Sequence, residues 1–215
     1  MLGQRRMSTT EPIRQQTEER KELDRIMAFS DGVFAIAITL LAFAINLPPS
    51  VKLDELGHEI VKLLPQFGIF ALSFVVIGDH WIIHHRIFRN IRRYDTPLLW
   101  INLFFLLSIA FLPVPSRIFG LYPTERPAVI FFSGSLAVTG IIQVLLWRYA
   151  SDNHRLLDKG FSPKLIRWGR IRGLIPPTVY MISIALALAN TILAISSWGL
   201  ILVGFTALEH FFPRE

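Results

Sequence analysis

The chain has no cysteine. Disulfides, thiolate nucleophiles and cysteine-held metals are therefore excluded. Charge is also scarce: 18% of residues are charged against 52% hydrophobic, and the mean hydropathy is +0.47. A soluble domain of this length would carry more charge, spread through the chain. There is no Walker loop, no G-x-S-x-G and no helical break bearing paired carboxylates. His80, His84 and His85 have the one-turn spacing of a metal box. His58, His154 and His210 stand alone, however, and an intramembrane metal enzyme needs several such boxes. Enzymatic chemistry, a resident metal and a cofactor are not expected.

The apolar residues fall in six runs, at about 26–47, 63–85, 97–119, 127–148, 173–195 and 197–212. Five have the length of roughly 20 residues that crosses about 30 Å of hydrocarbon, and the last is shorter. The pattern predicts an all-α membrane protein with six transmembrane helices, embedded in the lipid bilayer. Asp95-Thr96-Pro97 and Arg126-Pro127 punctuate the runs, and Pro48-Pro49 stops the first. Pro176-Pro177 is expected near the start of the fifth span, and Ser196-Ser197 with Gly199 at the turn before the sixth. Residues 1–22 read as a polar cytosolic tail, either disordered or a helical extension, and residues 23–215 as one transmembrane domain. No cleavable leader is evident, so the first run should act as an uncleaved anchor.

A net charge of +6 and a pI near 10 invite a nucleic-acid reading. The placement of the basic residues argues against it. Eighteen of the 22 fall in the amino-terminal tail, the second-to-third loop, the fourth-to-fifth loop and the carboxy-terminal end. Lys52, Lys62, Arg117 and Arg126 fall on the other side. This is the positive-inside bias, and it predicts that both termini are cytoplasmic. Arg86, Arg89 and Arg92 have the spacing of a voltage-sensor helix, but they end a span and run into Arg93-Tyr94-Asp95 as loop charges.

One acid stands out. Arg25 to Asp31 reads R-I-M-A-F-S-D, and the run from Gly32 to Leu47 that follows carries no charge. A carboxylate at the centre of a membrane helix costs about 2.5–3.5 kcal/mol on insertion scales, so such residues mark function by default. At 100° per residue, Ile36, Leu40 and Phe43 lie within about 40° of Ile36, and Thr39 about 60° away. Asp31 falls about 140° from Ile36. The stripe must meet lipid, a pore or a partner, while Asp31 must meet protein. Ordinary helix packing would also explain the stripe. With the predicted topology, Asp31, Trp81, His84 or His85, and Asn102 lie at one depth on three helices. Mutual hydrogen bonds would satisfy them where lipid cannot.

The motif R-x-x-x-F-S-D, at Arg25, Phe29, Ser30 and Asp31, resembles the start of the first membrane helix in the transmembrane protein 175 family of potassium channels, prokaryotic branch. The resemblance is specific from Arg25 to about Leu41, with weaker support from Trp81 to His85 and at Asn102. It implies a passive, potassium-permeable cation channel in a prokaryotic plasma membrane. It implies that the first helix lines the pore, with Ile36, Leu40 and Phe43 as constriction and Thr39 as a hydroxyl ring. It also implies a polar network anchored on the F-S-D residues. The motif occurs once, and one helix cannot surround a pore, so a homo-oligomer is required; the family implies a tetramer. The glycine filter of ordinary potassium channels is absent. The rival expectation is a secondary transporter in which Asp31 carries the coupling ion or proton.

Overall fold

The computed structural model describes residues 10–45, 47 and 50–211. Pro48-Pro49 lies outside the described residues. The elements are α1 (Thr10–Leu40), α2 (Leu56–Lys62), α3 (Leu64–Asn90), α4 (Thr96–Phe111), α5 (Pro113–Leu121), α6 (Arg126–Ser151), α7 (Pro163–Ala187), α8 (Thr191–Ser196) and α9 (Leu200–Phe211). Short 3-10 turns continue α1 over Leu41–Ala44 and precede α9 over Ser197–Gly199. Helix α1 runs unbroken from Thr10. The described part of the polar tail is thus a helical extension.

Among the described residues, five helical stretches are long and apolar enough to cross a membrane: Glu18–Phe43, Leu64–Asn90, Thr96–Leu121, Arg126–His154 and Thr191–Leu208. The expected third run is split. Pro113, which has no N–H, opens α5 directly after Leu112 and breaks the ladder there.

The carboxy-terminal third corrects two expectations. Helix α7 begins at Pro163, so Pro176 and Pro177 fall inside it rather than near its start. The break to the next helix lies at Leu188–Asn190, not at Ser196-Ser197 and Gly199. Asn190 makes that break: its Oδ1 accepts from the N–H groups of Ile192 (2.8 Å) and Leu193 (3.1 Å) and caps α8. Helix α7 pairs most extensively with α6. A Cβ on Gly169 would lie 2.8 Å from Trp147 Nε1, and one on Gly173 would lie 3.2 Å from Val144. Gly169-x-x-x-Gly173 therefore gives one smooth face of α7 to α6, the small-residue contact that membrane helices use.

One apolar core joins α1, α3, α4, α5, α6 and the α8–α9 region, through Phe34, Leu41, Ile77, Phe105, Phe119 and Phe132. A second lies towards the basic end, around Leu98, Leu146, Trp147 and Leu157. It is closed by a polar clasp. Asp95 caps α4 by accepting from the Leu98 N–H at 3.0 Å, and its other oxygen accepts from the Tyr149 hydroxyl at 2.7 Å and Arg155 Nε at 3.3 Å. Burial pushes the Asp95 carboxyl up, but these donors outweigh it and hold it below the usual carboxylate range. A depressed folded-state value means the stabilisation is complete above the ordinary value of about 3.9 and is lost as pH falls through the folded value. Asp95→Ala should cost about 0.5–2 kcal/mol, the usual loss for a helix cap. Thermal unfolding in detergent should show the variant melting lower at neutral pH. The gap should close in acid as the wild-type carboxyl protonates.

Candidate functional site

Helix α1 has two faces of opposite character. Leu23, Ser30, Phe34, Ala37 and Leu41, at steps of seven, four, three and four residues, are buried against α3, α4 and α5. On the other face Phe29 (59%), Ile36 (61%), Leu40 (42%) and Phe43 (73%) are exposed, and so is Thr39. The stripe marked by angle is therefore not part of this chain's own core. Phe29 belongs to it by position, since seven residues return the helix to nearly the same angle. Thr39 Oγ1 donates to the Ile36 carbonyl at 2.9 Å. Its one hydrogen is used inside the helix, so its oxygen remains an acceptor towards the exposed side.

Behind the stripe lie the polar ties. Trp81 Nε1 on α3 donates to Asp31 Oδ1 at 2.8 Å, on the flank of α1 that faces α3. Asp31 is exposed in the single chain. A deeper chain of bonds crosses three helices. Ser30 Oγ donates to the Ile26 carbonyl at 2.8 Å. That uses its only hydrogen, so it accepts from Asn102 Nδ2 at 3.3 Å. The amide oxygen of Asn102 then faces His84 Nε2 at 2.8 Å and must accept, which places the proton of that bond on Nε2. Each hydrogen has one possible destination, so the chain is directional. Phe34, Phe88 and Phe105 surround the His84 ring, the last stacked at 5.5 Å. Ser30, His84 and Asn102 are all buried. An unmade bond in such surroundings is costly.

The structure thus brings together Asp31 with Trp81, and Ser30 with Asn102 and His84. Arg25 does not join them. It pairs with Glu22 at 3.1 Å on the exposed surface. His85 packs its ring against Trp81 at 5.7 Å, and its Nδ1 is buried with no hydrogen-bond partner among the described residues. His80 and His84 turn to different partners rather than to a common centre. His80 Nδ1 donates to Gln143 Oε1 at 2.8 Å while Gln143 Nε2 donates back to the His80 carbonyl at 2.8 Å. This two-way tie of α3 to α6 was missed from sequence. Its only signal is a lone Gln in an apolar run, which needs a partner wherever it packs. Among the described residues, no cluster of three or more His, Asp or Glu is placed to hold a metal ion.

An all-helical membrane protein with one amphipathic first helix, tied by polar bonds to its neighbours and bare on the other side, is the class that fold and site define. Residues 25–113 match the family model described as "Endosomal/lysosomal potassium channel TMEM175". A potassium channel of Streptomyces collinus is 32% identical over 185 residues, covering 84% of this chain and 89% of that protein. A potassium channel of Chamaesiphon minutus is 32% identical over 189 residues, covering 82% and 90%. The crystal structure of a lysosomal potassium-selective channel TMEM175 homolog from Chamaesiphon minutus superposes with a TM-score of 0.74 at 27% identity, covering 87% of this chain and 98% of that one. The chain belongs to the TMEM175 family, a family of ion channels rather than of enzymes.

Proposed function

We propose that this protein is a passive potassium-permeable cation channel of a prokaryotic plasma membrane, formed by a homotetramer with α1 lining the pore. The observation that carries the reading is the exposed stripe of Phe29, Ile36 and Leu40 on a helix whose opposite face is buried. A stripe of this kind needs neighbours, and copies of itself around an axis supply them. Cyclic symmetry is the simple way to close such a ring. Ile36, Leu40 and Phe43 then narrow the path into a hydrophobic constriction that dewets and that hydrated ions cross poorly. The Thr39 oxygens offer acceptor lone pairs in place of lost hydration. Asp31, Trp81, Ser30, His84 and Asn102 hold α1 against α3 and α4 and do not touch the ions. His85 packs beside Trp81 in support of the same network, while Arg25 and Phe29 complete the motif at its exposed flank.

In this reading α7 is the sixth spanning element. Its apolar part follows Arg172, and it lies along α6, which is itself long enough to span. Six spans put both termini on one side, and the bias of basic residues makes that side the cytoplasm, with residues 1–22 as the cytosolic tail of a 23–215 transmembrane domain. The absence of cysteine makes the test clean. A cysteine placed at Lys159 should resist a membrane-impermeant thiol reagent in intact cells and react once the cells are opened. Labelling in intact cells would overturn the topology. Conduction is tested by potassium flux from liposomes holding the purified protein, with sodium and caesium compared. Selective downhill potassium flux with no coupled ion is expected; flux that requires a second ion would overturn the channel.

A further inference from the structure

A cleft of about 950 Å³ opens between α3, α6, α7 and α9. Its walls are mostly apolar, with Val76, Ile83, Val144 and Leu202 among them. Two cations reach into it, Arg86 from α3 and Arg172 from α7. Arg86 lies in the last turns of α3, and Arg172 in the first half of α7. These helix ends share one end of the molecule, because Ile91 just after α3 bridges to Leu157 in the segment leading to α7. Arg172 lies over the Phe205 ring at 4.3 Å and the Trp168 ring at 5.4 Å, and Trp168 also lines the cleft. Arg86 makes no ion pair among the described residues. Asp79 lines the same cleft, seven residues before Arg86 and so on the same face of α3, about 10 Å farther from the basic end.

We propose that this cleft binds an anionic phospholipid of the membrane, with an acyl chain along the apolar walls and the phosphate at Arg86 and Arg172. The proposal rests on the orientation given above, which turns the arginine end towards the cytoplasmic leaflet. The charge pattern selects the occupant. An apolar groove at membrane depth takes hydrocarbon, and a guanidinium fork matches the paired oxygens of a phosphate. Basic pockets between membrane helices on the cytoplasmic side hold anionic headgroups. Asp79 repels an anion that descends farther along α3, so the phosphate stays on the Arg86 side of it.

Trp168 supplies the probe. The full-length protein is reconstituted in phosphatidylcholine vesicles containing a minor fraction of brominated phosphatidylglycerol, or the same fraction of brominated phosphatidylcholine. Trp168→Phe identifies the Trp168 share of the fluorescence. Brominated phosphatidylglycerol should quench that share more strongly than brominated phosphatidylcholine. Arg86→Gln, which disturbs no packed ring contact, should reduce the preference about fivefold, the effect of one basic residue on an anionic lipid. Arg86→Lys should restore most of it, and Asp79→Asn should not weaken it. Equal quenching by the two lipids, or a preference that survives Arg86→Gln, overturns the proposal. Absence of quenching by either lipid also overturns it. The Lys159 labelling reports orientation separately, so an error there is distinguishable from an error here.

Discussion

Ile36→Asn should raise sodium and caesium permeability relative to potassium and increase total conductance. A hydrophobic ring excludes ions because water leaves it when it is narrow, and a carboxamide in each copy keeps water there. Ile36 is 61% exposed on α1, so the exchange removes little from the packing of the single chain. The effect should therefore appear in the pore and not in the fold. A loss of potassium preference of about tenfold, equal to 1.4 kcal/mol, is the expected size. Reversal potentials with potassium on one side and sodium or caesium on the other measure it directly. Thr39→Ala should act differently. It removes an oxygen that accepts outward and a bond internal to α1, so the pore should still conduct with a reduced potassium preference. If both variants keep wild-type reversal potentials and conductance, α1 does not line the path.

Asn102→Ala should strip the protein of its assembled form. Asn102 is 4% exposed and joins His84 to Ser30. Truncation leaves a buried imidazole N–H without its partner, at about 1–3 kcal/mol, and the Ser30 hydroxyl keeps its bond to Ile26 but no longer accepts one. Net stabilities of about 5–15 kcal/mol make that a large share. Membrane double-mutant cycles average near 0.6 kcal/mol per hydrogen bond, because groups freed in lipid find other partners. The aromatic wall of Phe34, Phe88 and Phe105 denies His84 that escape, so the larger figure applies. Size-exclusion chromatography in mild detergent should show low yield and a dissociated oligomer. His84→Ala should follow the same course.

Asp31 separates the channel from its rival. Asp31 is exposed in the single chain, and its one side-chain bond among the described residues is to the exposed Trp81. Asp31→Asn keeps the Oδ1 acceptor, so the protein should assemble and conduct potassium passively. A transporter carrying its coupling ion on this carboxylate would assemble equally well and lose coupled flux. A well-assembled Asp31→Asn protein in which ion-coupled transport is abolished would decide for the transporter.

The order of helices and the character of α1 were legible in the sequence. Long apolar runs measure the transfer of local chain into hydrocarbon, a sum over neighbouring residues that needs no knowledge of the fold. The helix starts at Asp95 and at Arg126-Pro127 are likewise local, since a capping carboxylate or a missing N–H acts within one turn. The 100° arithmetic separated the Ile36 stripe from Asp31 before any neighbour was known.

The pairing of α7 with α6, the His80–Gln143 tie and the position of Asn102 between His84 and Ser30 were decided only by tertiary structure. Each depends on residues far apart in the chain. Gly169 and Gly173 let α7 lie close against α6, because Trp147 and Val144 fill the space a side chain would take. A single buried Gln or Asn announces that it needs a partner, and only the packing of three helices says which. The same distinction holds for charge. The sequence placed Asp31 beside a membrane span, but only the fold left its carboxylate on the rim of α1, held by Trp81, while Ser30 next to it went inside.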